Sequence, residues 1–195
     1  QDKVRLLIDP TSSYAQAAAM AMGRAMDDVI IAAATGTAYT GETGSGTESA
    51  QTAIAASVGT GTGLNITKLR TAKELLDKAD VDPSIPRHVV CGPEQITNLL
   101  GTTEVTSSDF NTIKALVHGE VDSFLGFKFT TSNRLAKSGN DRTVIAFAQD
   151  GITLGIGKDI SARIDERADK SYATQVYYCQ SIGSTRMEQA KVVPI

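Results

Sequence analysis

The sequence predicts an α+β fold, and three observations carry that prediction. A long alanine-rich segment near the start reads as one helix, the middle alternates strand with helix, and the final third is spaced for β structure with glycines between its runs. Each element can be justified from its own residues.

Val4 to Ile8 is apolar enough to read as a strand. The stretch from Asp9 to Gly36 then predicts a helix of about six turns, with Pro10 preset for a helix start, Thr11, Ser12 or Ser13 able to accept a first-turn N–H, and Gly36 as the stop. Alanines 15, 17, 18, 19, 21, 25, 32, 33 and 34 are the best helix formers, and Gly23 is the one weak point. Tyr14, Ala18, Met22, Met26, Val29 and Ala33 follow helical spacing, but Ala17, Ala21, Ala25 and Ile31 fall on other faces. A helix so apolar all round must be covered on several sides. Its charges, Arg24, Asp27 and Asp28, sit within about one turn, and Arg24 with Asp28 has the i, i+4 spacing of an ion pair. The apolar runs Ala17 to Met22 and Val29 to Ala34 are far shorter than the roughly 20 residues a bilayer crossing needs.

From Thr35 to Gly63 the chain holds seven glycines, eight threonines and three serines with no lysine or arginine, which is loop or edge-strand material. Glu48 to Val58 could hold a short helix. A firmer helix is predicted from Ile66 to Ala79, capped by Asn65 or Thr67, with Leu69, Ala72, Leu75, Leu76 and Ala79 as its apolar stripe. Arg87 to Cys91 reads as a strand and Pro93 to Leu100 as the helix after it, the grammar of an α/β lobe. Ser108 or Asp109 can cap a short helix through Val117, and Phe124 to Thr131 reads as a strand. Thr143 to Ala148, Ile160 to Ile164 and Tyr172 to Ile182 read as β, with Gly151, Gly155, Gly157 and Gly183 marking turns.

Composition narrows the function. The 195 residues, 41% hydrophobic and 21% charged, are ordinary for a globular protein, and 19 basic against 22 acidic side chains give a net charge of −3. That balance supplies no electrostatic footprint for gripping nucleic acid. Cys91 and Cys179 lie far apart and outside any paired motif, so no disulfide framework is expected and a reducing compartment fits. A start at Gln1, without an initiator methionine or a secretory signal, reads as a processed or N-terminally truncated product.

The motifs that could carry chemistry fall short. GTGTG at 59–63 lacks the spacing and the preceding strand of a dinucleotide loop, and GITLGIGKD at 151–159 has one residue too many and an aspartate where a phosphate loop needs Ser or Thr. His88 and Cys91 have metal-ligand spacing, but His118 and Cys179 are isolated, so no metal site is expected. No nucleophile elbow is present, and adjacent carboxylates such as Asp27 with Asp28, or Asp165 with Glu166, point apart. We expect no enzyme, no cofactor and no metal. One charged cluster remains, Asp159 to Lys170. In a strand, Arg163, Asp165 and Arg167 would share one face and Ile164, Glu166 and Ala168 the other. A solvated face is the plainer reading, and intersubunit pairing the sharper one, because a strip of alternating sign specifies partner and register.

The segments DPTSSYAQAAAMAMGRAMDDVI, RTVIAFAQDGITLGIGKDISARIDERADKSYATQVYY and GSTRMEQAKVV, in that order, resemble the major capsid proteins of tailed double-stranded DNA bacteriophages, which have the HK97 fold. The resemblance spans essentially all of the chain. It implies that Tyr14 to Ala34 is the spine helix of a peripheral P-domain (residues 1–35), that 36–155 form an axial A-domain, and that 156–195 are P-domain strands returning. The family's N-terminal arm and extended loop have too little chain ahead of Tyr14 to be built here. By the same resemblance the protein is a structural, self-assembling homo-oligomer, pentameric and hexameric in an icosahedral virion shell made in the host bacterial cytoplasm. Its DNA would be enclosed without sequence-specific contact, with scaffolding and portal proteins as further partners and no membrane. Arg24, Asp27, Asp28, Arg163, Asp165, Glu166 and Arg167 are the expected subunit-interface residues. Two other readings compete: an encapsulin-type compartment shell with enzyme cargo, and a small α/β enzyme for a phosphorylated ligand.

Overall fold

The computed structural model describes residues 10–59, 63–101, 123–139 and 141–195. The predicted strand at Val4 to Ile8, the predicted helix at 108–117 and His118 lie outside them.

The first helix, α1, runs Pro10–Thr35. Pro10, preset for a helix start, takes the first helical position, and Thr11, Ser12 and Ser13 follow in the first turn. At the other end the Gly36 N–H donates to the Ala32 carbonyl at 2.8 Å. A Cβ at position 36 would stand 2.7 Å from that same oxygen, so glycine is required there for close approach. Gly36→Ala should therefore lower stability by about 1–3 kcal/mol, the cost of forcing a crowded site apart, read as a lower thermal midpoint.

Residues Ala38–Thr40 (β1) and Gly46–Glu48 (β2) form a small antiparallel hairpin. The short helix expected over Glu48 to Val58 is absent. That segment is instead drawn out along the C-terminus, where the buried Ile54 donates its N–H to the Pro194 carbonyl at 3.0 Å. Helix α2, Ile66–Lys78, begins where Asn65 accepts from the Lys68 N–H at 2.8 Å. Leu69, Ala72 and Leu76 bury its inner stripe. Strand β3 is Arg87–Cys91 and helix α3 is Pro93–Leu100, both with the predicted bounds.

The predicted strand Phe124 to Thr131 is a hairpin, β4 (Ser123–Phe124) and β5 (Phe127–Thr131). Leu125 and Gly126, both at positive φ (53° and 84°), make its two-residue turn. After the short pair β6 (Lys137–Ser138) and β7 (Asp141–Arg142) comes β8, Ile145–Ala148. The closing strand β11, Val192–Pro194, pairs with β8 and completes a five-stranded sheet in the order β11-β8-β3-β5-β4. Strands β3 and β5 run parallel, and the other pairs are antiparallel.

This sheet carries apolar side chains on both faces, as its period of two requires when both are covered. Val89, Cys91, Phe127, Ala146, Ala148 and Val193 pack with Leu69, Ala72 and Leu76 of α2. Ile145 and Val192 point the other way, to a second cluster with Leu135 and Ala34 at the end of α1. The last turn of the long helix is thus anchored in the sheet's second core.

The final third differs most from expectation. Ile152–Arg167 (β9) and Ala173–Arg186 (β10) are one long antiparallel hairpin, where the sequence suggested two shorter strands. Gly155 and Gly183 do not mark turns but face each other across the ladder, and Gly157 also lies within β9. The register shifts around Ser181, a bulge that changes which side chains share a face. Ala168 leaves the strand for a 3-10 turn, Ala168–Lys170, and Ser171 and Tyr172 take positive φ (56° and 59°) to reverse the chain. Helix α1 lies chiefly on β10. Along β10, Ile182 and Ser184 are half-buried and Arg186 is buried, alternating with exposed Ser181, Gly183 and Thr185.

Candidate subunit interface

The expected interface residues fall in two places, on α1 and near the tip of the β9–β10 hairpin. On α1, Arg24 and Asp27 are exposed. Asp28 does not pair with Arg24 as the spacing suggested. It accepts from Nε of Arg134 at 2.7 Å and from a terminal nitrogen of the same guanidinium. A residue 106 positions away wins because Arg134 presents a two-pronged donor that matches a carboxylate, whereas an i, i+4 pair on an exposed helix is worth only tenths of a kcal/mol. The Arg134 hydrogen bond holds the Asp28 carboxyl below the usual carboxylate range. The bridge is therefore intact at neutral pH and is lost only as pH falls through that depressed value.

On the hairpin, Arg163 and Asp165 share one face, as the alternation required. With Lys158, Ser161, Gln175 and Tyr177 they line an open hollow of about 510 Å³. Arg167 is taken up locally, donating from Nε to Asp169 at 2.9 Å across the turn. Glu166, opposite Thr174 in the register, is exposed on the other face beside Ile164 and Val176. The structure thus leaves Arg24, Asp27, Arg163, Asp165 and Glu166 open at the surface and commits Asp28 and Arg167 to partners within the chain.

Apolar residues surround these charges. Tyr14 and Met20 of α1 are 65% and 64% exposed, and Ile156, Ile164 and Tyr177 of the hairpin are each at least half exposed. α1 covers the hairpin along β10, so Ile156, Ile160 and Ile164 of the outer strand β9 stay in solvent. Exposed apolar side chains on α1 and on both faces of the hairpin, beside charged ones, are how protein–protein contacts read on a free chain.

Two groups that the sequence did not single out shape this region. Cys179 has its Sγ 3.1 Å from the hydroxyl of Ser161, one of the residues lining the hollow. The Lys158 ammonium beside it, with that hydroxyl, brings its thiol down to about 7, while burial pushes Cys91 up to about 11. Alkylation by iodoacetamide followed by mass spectrometry should therefore label Cys179 with a pH midpoint near 7, and Cys91 only on unfolding. Lys158→Met should move that midpoint upward, because the thiolate loses its nearest cation. The second group is Arg186, buried at the root of the hairpin. Its Nη1 donates to the carbonyls of Ala34 (3.2 Å) and Gly36 (2.9 Å), and its Nη2 to that of Glu48 (2.9 Å). The phrase STRMEQAK contains it, but nothing in that phrase marks a contact with residues about 150 positions upstream.

No phosphate loop is formed at GITLGIGKD, because Ile152 to Asp159 of that segment are β9. His88 stacks on Phe147, ring centroids 5.6 Å apart, and does not face Cys91 as a metal pair. Among the described residues no group of three His, Cys, Asp or Glu side chains could hold a metal ion, and no helix is long and apolar enough to cross a membrane.

Comparison with known proteins agrees with this frame. No curated protein matches the sequence. Among solved structures, a chain of Mycobacterium phage Che8 superposes with a TM-score of 0.69 at 22% identity, over 93% of this chain and 61% of that one. The capsid of Cyanophage P-SCSP1u matches at 0.68 and 18% identity (99% and 67%), and that of Cyanophage Pam1 at 0.69 and 15% (99% and 70%). This chain therefore spans about three fifths to seven tenths of the length of these relatives. At such identities the likeness shows the fold, which is HK97-like. The phage capsid protein family itself matches over residues 1–195, and the chain belongs to that family.

Proposed function

We propose that this chain is the folded body of the structural subunit of a phage head, closing with its own copies into pentamers and hexamers of an icosahedral shell around double-stranded DNA. The observation that carries the reading is the long helix laid on a long hairpin, with Tyr14, Met20, Ile156, Ile164 and Tyr177 all exposed. Exposed apolar surface of this kind marks contact with other molecules, and copies of the same chain are the most economical source of the covering surfaces. The net charge of −3 suits a wall that encloses DNA without gripping it.

In this reading α1 and the β9–β10 hairpin form the peripheral lobe. The five-stranded sheet with α2 and α3 forms the axial lobe, and β11 ties the C-terminus into the axial lobe. Arg24, Asp27, Arg163, Asp165 and Glu166 are the lateral contacts, assembly takes place in the host cytoplasm, and scaffolding and portal proteins are further partners. Electron microscopy of the full-length protein expressed in bacteria should show closed icosahedral particles. A monodisperse monomer would overturn the proposal, and particles filled with a protein cargo and no DNA would favour an encapsulin-type shell. Within a shell, Arg163→Glu should reduce sedimenting particles by about tenfold or more, because a like-charge contact across an interface costs several kcal/mol. Arg167→Ala should change the yield less, since Arg167 already has Asp169.

A further inference from the structure

Four carbonyls converge on one buried guanidinium at the place where the long helix, the long hairpin and the β1–β2 hairpin meet. Arg186 is 3% exposed. Beyond its bonds to Ala34, Gly36 and Glu48, its Nη1 lies 3.4 Å from the Ala33 carbonyl. The last carbonyls of any helix lack partners within it, and the aligned peptide dipoles place roughly half a negative charge there. In most helices water or the residues just beyond the end meet that need. Here the donor arrives from 150 residues further along the chain and also holds the end of β2.

We infer that Arg186 is the positioning residue that joins α1, the β9–β10 hairpin and the β1–β2 hairpin into one rigid body, and so fixes the angle at which the helix leaves the sheet core. The inference rests on the shell reading for its functional meaning. A helix of 26 residues at 1.5 Å per residue is about 39 Å long, so a change of about 10° at its root moves its far end by about 7 Å. A displacement of that size is larger than a side-chain contact and would take Tyr14, near the far end, out of register with a neighbouring copy. Arginine suits the task where lysine would not. Its planar fork can hold the helix end through one nitrogen and β2 through the other, while an ammonium is a single point charge on a flexible stem.

The test compares wild type, Arg186→Lys and Arg186→Met by hydrogen exchange read by mass spectrometry. In Arg186→Lys, amides of residues 30–36 and 46–48 should exchange about tenfold faster or more, while those of β3, β5 and β8 keep their wild-type rates, because only the joint opens. Arg186→Met should exceed Arg186→Lys at the same segments. In Arg186→Lys, uniform acceleration through the sheet core would show a merely structural residue and overturn the inference, as would wild-type exchange at 46–48. In full-length protein, Arg186→Lys should give particles with a broadened diameter distribution, and a wild-type distribution would also overturn it. Absence of particles from wild type would instead overturn the shell reading, with the exchange pattern still deciding the joint.

Discussion

Phe127→Ala should cost about 3–5 kcal/mol, a large share of the 5–15 kcal/mol that holds a typical domain together. Among the described residues Phe127 is the largest of the fully buried side chains, at 0% exposure. It stands at the start of β5, opposite Arg87 of β3 and Phe124 of β4, and belongs to the cluster with Leu69, Leu76 and Val89. Truncation there removes a ring's worth of apolar burial and leaves a cavity walled by two helices and a sheet, which cannot all close in on it. Phe127→Leu keeps most of the volume and should cost about 1.5 kcal/mol or less. Phe124→Ala, at a half-buried site on the sheet's edge strand, should fall between wild type and Phe127→Ala. Urea denaturation of the three variants reads these differences as shifts in midpoint at constant slope. A Phe127→Ala protein within about 1 kcal/mol of wild type would mean that the core is centred elsewhere.

The elements that sequence reading placed well are those whose signals are local. Asn65 ahead of an amphipathic run fixed the start of α2, and the order Arg87–Cys91, Gly92, Pro93 gave both the strand and the helix after it, since glycine and proline there act on their own backbone. Glycine misled in the hairpin. Gly155, Gly157 and Gly183 look like turn residues one at a time, but their strands are set by pairing across the ladder, and Gly155 opposite Gly183 leaves the backbone hydrogen bonds in place. Leu125 hid a turn for the opposite reason, because a leucine at positive φ has no local signature. The candidate interface was legible as an alternation, and Arg163 with Asp165 stayed on one face as that required. The intrachain partners of Asp28 and Arg167 were not legible, since Arg134 comes from the tertiary fold and Asp169 from an unforeseen turn. Arg186 was invisible for the same reason as Arg134: a contact over 150 residues leaves no trace in spacing or periodicity.

Arg186→Met should destabilise the chain by about 3–5 kcal/mol, and by more than Arg87→Met, although both replace a buried arginine with an apolar chain of similar length. The difference lies in what each guanidinium leaves behind. Arg87 donates to the Val81 carbonyl at 3.2 Å and pairs with Asp77 at 2.7 Å, but the Asp77 side chain is 49% exposed and water can replace its partner. One carbonyl is then the main loss, worth about 1–3 kcal/mol. Arg186 instead serves the carbonyls of Ala34, Gly36 and Glu48, around an Ala34 that is only 1% exposed. The Ala34 acceptor has no solvent to turn to unless the joint opens, the half-buried Gly36 and Glu48 acceptors lose their bonds with it, and the helix end loses its compensating positive charge at the same time. The two variants should therefore separate in urea midpoint, Arg186→Met lowest. A reversed order would place the critical buried charge in the five-stranded sheet and not at the root of the long helix.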